Sequence, residues 1–72
     1  MSIPSAGDVI IRCCTPEGSY LVVDAGTGAM LSAVMPTIEA AVAFAKDFGA
    51  LVIWLQHIDQ RGRPLGPPTR WG

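Results

Sequence analysis

The chain has 72 residues and a formal net charge of −1; half of its residues are apolar and 15% are charged. This length allows one domain with a small core, and the charge excludes a protein held on nucleic acid by a general basic excess. Because a typical soluble chain is about 25% charged, this one has more apolar side chains than a small core can bury. We therefore expect part of its apolar surface to contact another protein molecule.

The beginning of the chain, residues 1–7, predicts a flexible arm. It contains no basic segment and no apolar run of signal-peptide length. No stretch of the sequence approaches the roughly 20 apolar residues that a membrane-spanning helix requires. These features predict a cytoplasmic chain that does not enter a membrane.

Two strands joined by a turn are predicted next. Side chains from Val9 to Cys14 alternate in the manner of a strand with one face inward, and residues 15–18 supply the proline and glycine of a turn. A second strand is predicted from Ser19 to Asp24, with Tyr20 and Val22 on one face. This pair of segments predicts a β-hairpin.

A glycine-rich break follows the second strand, and Ala29 to Val34 predicts a third, weaker strand. The run of residues 24–28 resembles the phosphate-binding turn of the actin and sugar-kinase superfamily. That superfamily requires two large lobes and a second phosphate loop, so a plain hairpin turn that uses glycine for positive φ is the favoured interpretation.

One helix is predicted to begin near Ile38 and to end at Gly49. Thr37 can cap it with its hydroxyl, and Glu39 places a carboxylate in the first turn, where the helix dipole favours it. The apolar residues recur at steps of three and four, as Ile38, Ala41, Val42, Ala45 and Phe48. Residues 50–55 then form an apolar run that predicts a strand covered on both faces, although a helix continuing to Ile58 is the alternative.

The predicted fold class is α+β: a small βββαβ domain with a mixed four-stranded sheet, in the order three, two, one, four, and one helix packed on one face. One domain spans 1–72, with the arm at 1–7, the core at 8–58 and a Pro/Arg-rich tail at 59–72. The face without the helix is expected to carry Ile10, Cys14, Tyr20, Val22, Met30, Val34 and Trp54. Because this face is too apolar for water, we expect a second subunit on it.

The tail, residues 59–72, is predicted to be an extended, proline-rich segment in which Arg61 and Arg63 are exposed. Trp71 is expected either to pack against its own chain or to anchor in a neighbouring subunit. The interface candidates are Tyr20, Val22, Trp54, Arg61, Arg63 and Trp71.

Chemical sites are poorly supported by the sequence. His57 is the single histidine, and a nucleophilic pair with Cys13 or Cys14 would need a third, orienting group that no spacing specifies. One histidine and two adjacent cysteines lack the paired spacing of a zinc site. We therefore predict no enzyme activity, no catalytic, cofactor-binding or metal-binding residues, and no cofactor.

The sequence has features in common with two groups of proteins. Thr37, Ala41, Asp59 and Gly62 occupy the T-x-x-x-A and D-x-x-G places of small bacterial and phage hairpin-helix-strand domains of unknown function, which the chain resembles. A second set is similar to HicB-type antitoxins: Thr37, Glu39, Ala41, Trp54, Leu55, Gly62, Pro64 and Pro67. The first resemblance implies no activity, and the second implies an antitoxin-like adaptor that binds a small toxin or nucleic acid.

These observations predict a non-enzymatic protein-interaction module that self-associates as a homodimer through an apolar sheet face. The alternative is the HicB-like adaptor with a small protein partner. Nucleic acid is not the expected partner, because three arginines in an extended tail more often keep a chain in solution than form a docking patch.

Overall fold

Four strands and one helix are present in the described residues of a computed structural model, which are 7–14 and 18–71. In chain order they are β1 (Val9–Cys14), β2 (Ser19–Asp24), α1 (Ile38–Phe48), β3 (Ile53–Ile58) and β4 (Thr69–Arg70). The predicted arm, apart from Gly7, and positions 15–17 of the first predicted turn lie outside the described residues.

The four strands form one mixed sheet in the order β2-β1-β3-β4. β1 pairs antiparallel with β2 and parallel with β3, and β4 runs antiparallel to β3. This arrangement confirms the predicted α+β class, with the first strand between the second strand and the strand that follows the helix. Among the described residues, no helix combines the length and the apolar composition needed to span a membrane.

The third predicted strand, Ala29 to Val34, is reduced to two isolated bridges beside β2, at Met30 and Met35. Met30 and Met35 are five residues apart, but their partners Val23 and Tyr20 are only three residues apart. Two residues of the segment therefore bulge out of the pairing. The Ser32 hydroxyl accepts a hydrogen bond from the Val22 amide at 3.1 Å, where a regular ladder would use a carbonyl. The fourth strand of the sheet is instead β4, in the segment predicted to be an extended tail.

The strand after the helix is shifted relative to its prediction. β3 begins at Ile53 rather than residue 50, because the register with β1 pairs Ile53 with Val9 and continues to Ile58. Leu51 lies before the strand, where its amide donates to the Gly7 carbonyl, and its side chain is exposed. The expected cover on both faces is found in part: Trp54 is buried on one face, and Ile53 and Leu55 are half-buried against the core cluster on the other.

Helix α1 has the predicted ends. The Thr37 hydroxyl accepts from the Ala40 amide at 3.2 Å, and Gly49 ends the helix in the left-handed conformation with φ of 89°. The Gly49 amide donates to the Lys46 carbonyl at 3.1 Å. The alternative of a helix continuing to Ile58 is therefore excluded.

We expect Gly49→Ala to lower the free energy of unfolding by about 1–2 kcal/mol, because an alanine is strained in the left-handed region. A Cβ at this position would touch nothing within 4 Å, so the loss comes from the backbone. Gly66→Ala is the matched control, since its Cβ is equally unobstructed and its φ lies outside the positive region. Urea unfolding of both variants measures the difference, and equal stabilities would contradict this explanation of the helix end.

The core lies between the helix and one face of the sheet. Ile11 is fully buried at its centre, and the core cluster consists of Val9, Ile11, Cys13, Val22, Ala41, Val42 and Ala45. The register places Val22 of β2 directly beside Ile11, and Leu55 of β3 on its other side. Helix α1 turns its small residues, Ala41 and Ala45, toward this layer, which lets it pack closely on the sheet.

Candidate functional site

The sheet face turned away from α1 is the candidate site, and we call it the open face. Side chains alternate along a strand, so the register assigns this face from the residues that neighbour the core positions. Its residues are Ile10, Arg12 and Cys14 of β1, Ser19, Leu21 and Val23 of β2, and Trp54, Gln56 and Ile58 of β3. The described part of the chain contains no second helix or sheet to cover it.

Two interface candidates lie on the opposite side of the sheet from the predicted one. Val22 is fully buried beneath the helix, and Tyr20 packs against the core cluster. Their neighbours Leu21 and Val23 take the places on the open face, because Ile11 of β1 aligns with Val22. The prediction that Val22 lines the open face is therefore wrong by one residue of strand phase, whereas Tyr20 packs against the core cluster and also lines a groove on the open face.

The β2 edge of the open face is its most apolar exposed part. Met30 pairs with Val23 in an isolated bridge and is 67% exposed, while Val34 is 61% exposed. Both side chains were predicted on this face. Their exposure creates an apolar rim beside Leu21, and an apolar rim of this kind favours contact with another molecule.

An open groove of about 350 Å³ crosses this face beside the rim. It is lined by Arg12, Cys14, Ser19, Tyr20, Leu21, Val34 and Ile58. Arg12 stands in the central strand, with Leu21 opposite it on β2 and Gln56 opposite it on β3. Its Nε is buried and has no hydrogen-bond partner among the described residues, which makes Arg12 the unsatisfied polar group of the groove.

Arg12 was not among the predicted interface residues. The signal that could have identified it is its position as the single charged residue of β1 between apolar neighbours. A long cation at the middle of a central strand must lie over one face of the sheet, and that face must then supply water or an acceptor for it.

Trp54 lies on the open face, as predicted, but contributes little accessible surface. It is 5% exposed, and its indole Nε1 donates a hydrogen bond to Asp8 Oδ2 at 3.0 Å. Asp8 is also buried, immediately before β1. The contact joins the start of the first strand to the start of β3, so Trp54 has a structural partner within its own chain.

The tail arginines lie on a tight turn and on β4. Asp59 Oδ1 accepts from the backbone amides of Arg61 at 2.8 Å and Arg63 at 2.9 Å, which leaves both side chains exposed on the turn. The chain then runs back along β3 until Arg70 pairs with Trp54. Four to five strand residues, about 15 Å, therefore separate Arg70 from the turn, and the arginines do not form one patch.

Trp71 lies beside its own helix. Its backbone amide donates to the Ile53 carbonyl at 2.8 Å, and its side chain is 40% exposed. Trp71 lines a groove of about 390 Å³ with the helix residues Ile38, Glu39, Val42, Ala43 and Lys46. Its side chain therefore lies beside α1 of its own chain, and the anchor in a neighbouring subunit stays a prediction.

Cys13 and His57 are register neighbours on β1 and β3, and both point to the helix side of the sheet. The Cys13 thiol donates to the Ile11 carbonyl at 3.7 Å, and burial raises its pKa, so the neutral thiol is favoured over the thiolate. A nucleophilic cysteine needs the reverse, a lowered pKa and access to solvent. The described residues hold no group of three side chains able to bind a metal ion.

The turn after β2 is closed by its own side chains. Asp24 Oδ2 accepts from the Thr27 hydroxyl at 2.9 Å, and Asp24 Oδ1 accepts from the Gly26 amide at 3.2 Å. These two hydrogen bonds, Thr27 first, lower the pKa of the Asp24 carboxyl. Since a carboxylate already occupies the turn, its geometry agrees with the plain hairpin turn rather than a phosphate-binding loop.

Comparisons of the chain with protein-family models, curated proteins and solved structures found no match.

Proposed function

We propose that the chain is a non-enzymatic protein-interaction module that self-associates as a homodimer through its open face. The observation that carries the proposal is the groove of about 350 Å³ on a sheet face that no described helix or strand covers. Leu21 and Ile58 form apolar walls, and Val34 extends the apolar surface to the edge. Burial of such side chains against a partner is favourable by about 25 cal/mol per Å².

A second copy of the chain is the simplest partner for this face. A twofold dimer uses the same patch on both subunits, so one self-complementary surface is sufficient. The composition supports this choice, because half of the residues are apolar, whereas nine apolar residues are buried in the described part of the chain. The raised pKa of Cys13 supports the non-enzymatic part of the proposal.

Sedimentation velocity over a concentration series tests the proposal, and we expect a monomer–dimer equilibrium. Val34→Ser should weaken the dimer about tenfold or more, since a twofold interface loses the side chain twice. Phe48→Ser is the matched control: Phe48 is similarly exposed, but it lies on the helix, away from the open face. A monomer at every concentration, or dissociation by the control and not by Val34→Ser, would contradict the proposal.

A further inference from the structure

The outward side of helix α1 carries two opposite charges, one near each end. Glu39 lies in the first turn and Lys46 in the last turn, and both side chains are exposed. A separation of seven positions is close to two helical turns, so the two charges lie on one face, about 10 Å apart along the axis. The point midway between them falls at Val42 and Ala43. The charges are therefore equally spaced, with opposite signs, about the middle of the helix.

The surface between these charges is apolar and shallow. Its residues, which we call the α1 outer face, line the groove of about 390 Å³ and are Ile38, Glu39, Val42, Ala43, Lys46 and Trp71. Ala43 is exposed at the centre, and its short side chain lets another helix approach closely. Packed helices lie about 8–10 Å apart, according to the side chains between them. The Trp71 side chain, 40% exposed, adds apolar area beside the helix, so this face can receive a second helix along its length.

We propose that the α1 outer face binds the same face of a second copy of the chain, with the two helices antiparallel about a twofold axis. An axis that passes beside Ala43 places Glu39 of each copy against Lys46 of the other copy, so two ion pairs form. A parallel pair of helices would instead bring like charges together. The inference goes beyond the proposed function, because the α1 outer face and the open face lie on opposite sides of the sheet.

The charges select the partner and its direction, whereas apolar contact supplies the affinity. An exposed ion pair adds little to affinity, but like charges placed together weigh strongly against a wrong arrangement. Tryptophan is among the residues that most often dominate binding, and Trp71 contacts the partner helix in this arrangement. Among the described residues, the exposed large apolar side chain of the α1 outer face is Trp71, while the open face has Met30 and Val34. We therefore expect the helices to pair at higher protein concentrations than those at which the open-face dimer forms.

Charge reversal in the Val34→Ser chain tests the helix pairing, because this background weakens the open-face dimer. In ¹H–¹⁵N NMR spectra over a concentration series, we expect the Trp71 indole signal to shift as the helices pair. Glu39→Lys and Lys46→Glu each create like charges at both contacts, so we expect each to weaken self-association about tenfold or more. The Trp54 indole, which is buried within its own chain, is the internal control and should not shift. A Trp71 signal that stays fixed at every concentration would overturn the proposal.

Mixing the two charge-reversed chains tests the reciprocal contacts directly. Glu39→Lys and Lys46→Glu together restore opposite charges at both contacts, so unlabelled Lys46→Glu should again shift the Trp71 indole of labelled Glu39→Lys. Asp47→Lys is the matched control, because Asp47 is exposed on the same helix outside the groove and its reversal changes the net charge equally. Mixed with Lys46→Glu, this control leaves like charges at one of the two contacts and should bind at least about tenfold more weakly. Equal binding in the two mixtures would assign the attraction to net charge and overturn the proposal.

The outcomes separate this inference from the proposed function. Helix pairing that persists with Val34→Ser and is lost with Glu39→Lys supports the inference, whether or not the open-face dimer forms. If Val34→Ser abolishes every association, the proposed function stands and the inference is overturned. If the wild-type dimer is unaffected by Val34→Ser but dissociates with Glu39→Lys, the inference stands and the open-face dimer is overturned. Separate indole signals of the folded and unfolded chain keep unfolding of a variant from being mistaken for loss of pairing.

Discussion

Val22→Asn is expected to lower the free energy of unfolding by at least about 4 kcal/mol at 25 °C. Val22 is fully buried beside Ile11 beneath the helix, so the substitution removes an apolar side chain from the core and places an amide there. The two effects together cost at least about 4 kcal/mol. A chain of 72 residues has a total stability of about 4–11 kcal/mol, so a loss of this size removes much or all of it.

Leu21→Asn provides the matched control for this expectation. Leu21 is the preceding residue of the same strand but lies half-buried on the open face, opposite Arg12. Its amide can remain in contact with water, so we expect a loss below about 2 kcal/mol and a folded protein. Far-UV circular dichroism with urea unfolding measures both variants, and a larger loss for Leu21→Asn would mean that the assigned strand phase is wrong.

The phase of β2 is the feature that the sequence could not determine. Four apolar side chains follow one another from Tyr20 to Val23, so alternation gives no preference for either face. β1 differs because Arg12, its single charged residue, indicates which face points outward. Ile10 and Cys14 are then assigned to the same face by alternation. The phase of β2 is decided by pairing with β1 and packing under the helix, which are contacts between distant residues.

The helix could be predicted almost to the residue, because the interactions that end it are local. Thr37 caps a backbone amide three residues away, and Gly49 adopts a conformation that glycine tolerates best. The start of β3 and the pairing of β4 depend instead on which strand lies beside them. Two prolines directly precede Thr69, and a proline cannot donate a hydrogen bond to a strand ladder. The sequence of the tail therefore predicted no strand, although a two-residue strand follows the prolines.

The candidate site was predicted in location but not in chemistry. An apolar surplus over a single helix indicated an open face, and Met30 and Val34 are exposed on it. The groove, however, is defined by Arg12 together with side chains of β2, β3 and the segment after β2. These residues come together only through the register of the sheet. The sequence alone therefore predicted an apolar contact surface and did not predict that Arg12 lies within it.

Trp54→Phe should lower the free energy of unfolding by about 1.5–3 kcal/mol, the usual contribution of a hydrogen bond to a charged group. The phenyl ring preserves most of the packing but removes the Nε1–H that donates to Asp8 Oδ2 at 3.0 Å. Because both residues are buried, water cannot readily replace the lost donor, and the carboxylate loses one of its stabilising contacts.

Trp71→Phe makes the same chemical change where the indole is 40% exposed, and we expect its effect to stay within about 0.5 kcal/mol. Its backbone hydrogen bond to Ile53 does not depend on the side chain, so β4 remains paired in the control. Urea unfolding followed by circular dichroism measures the stability of both variants. Equal losses of stability in the two variants would show that ring size matters at both positions and that the Asp8 contact adds nothing. A larger loss for Trp54→Phe would identify the buried hydrogen bond as the link between the starts of β1 and β3.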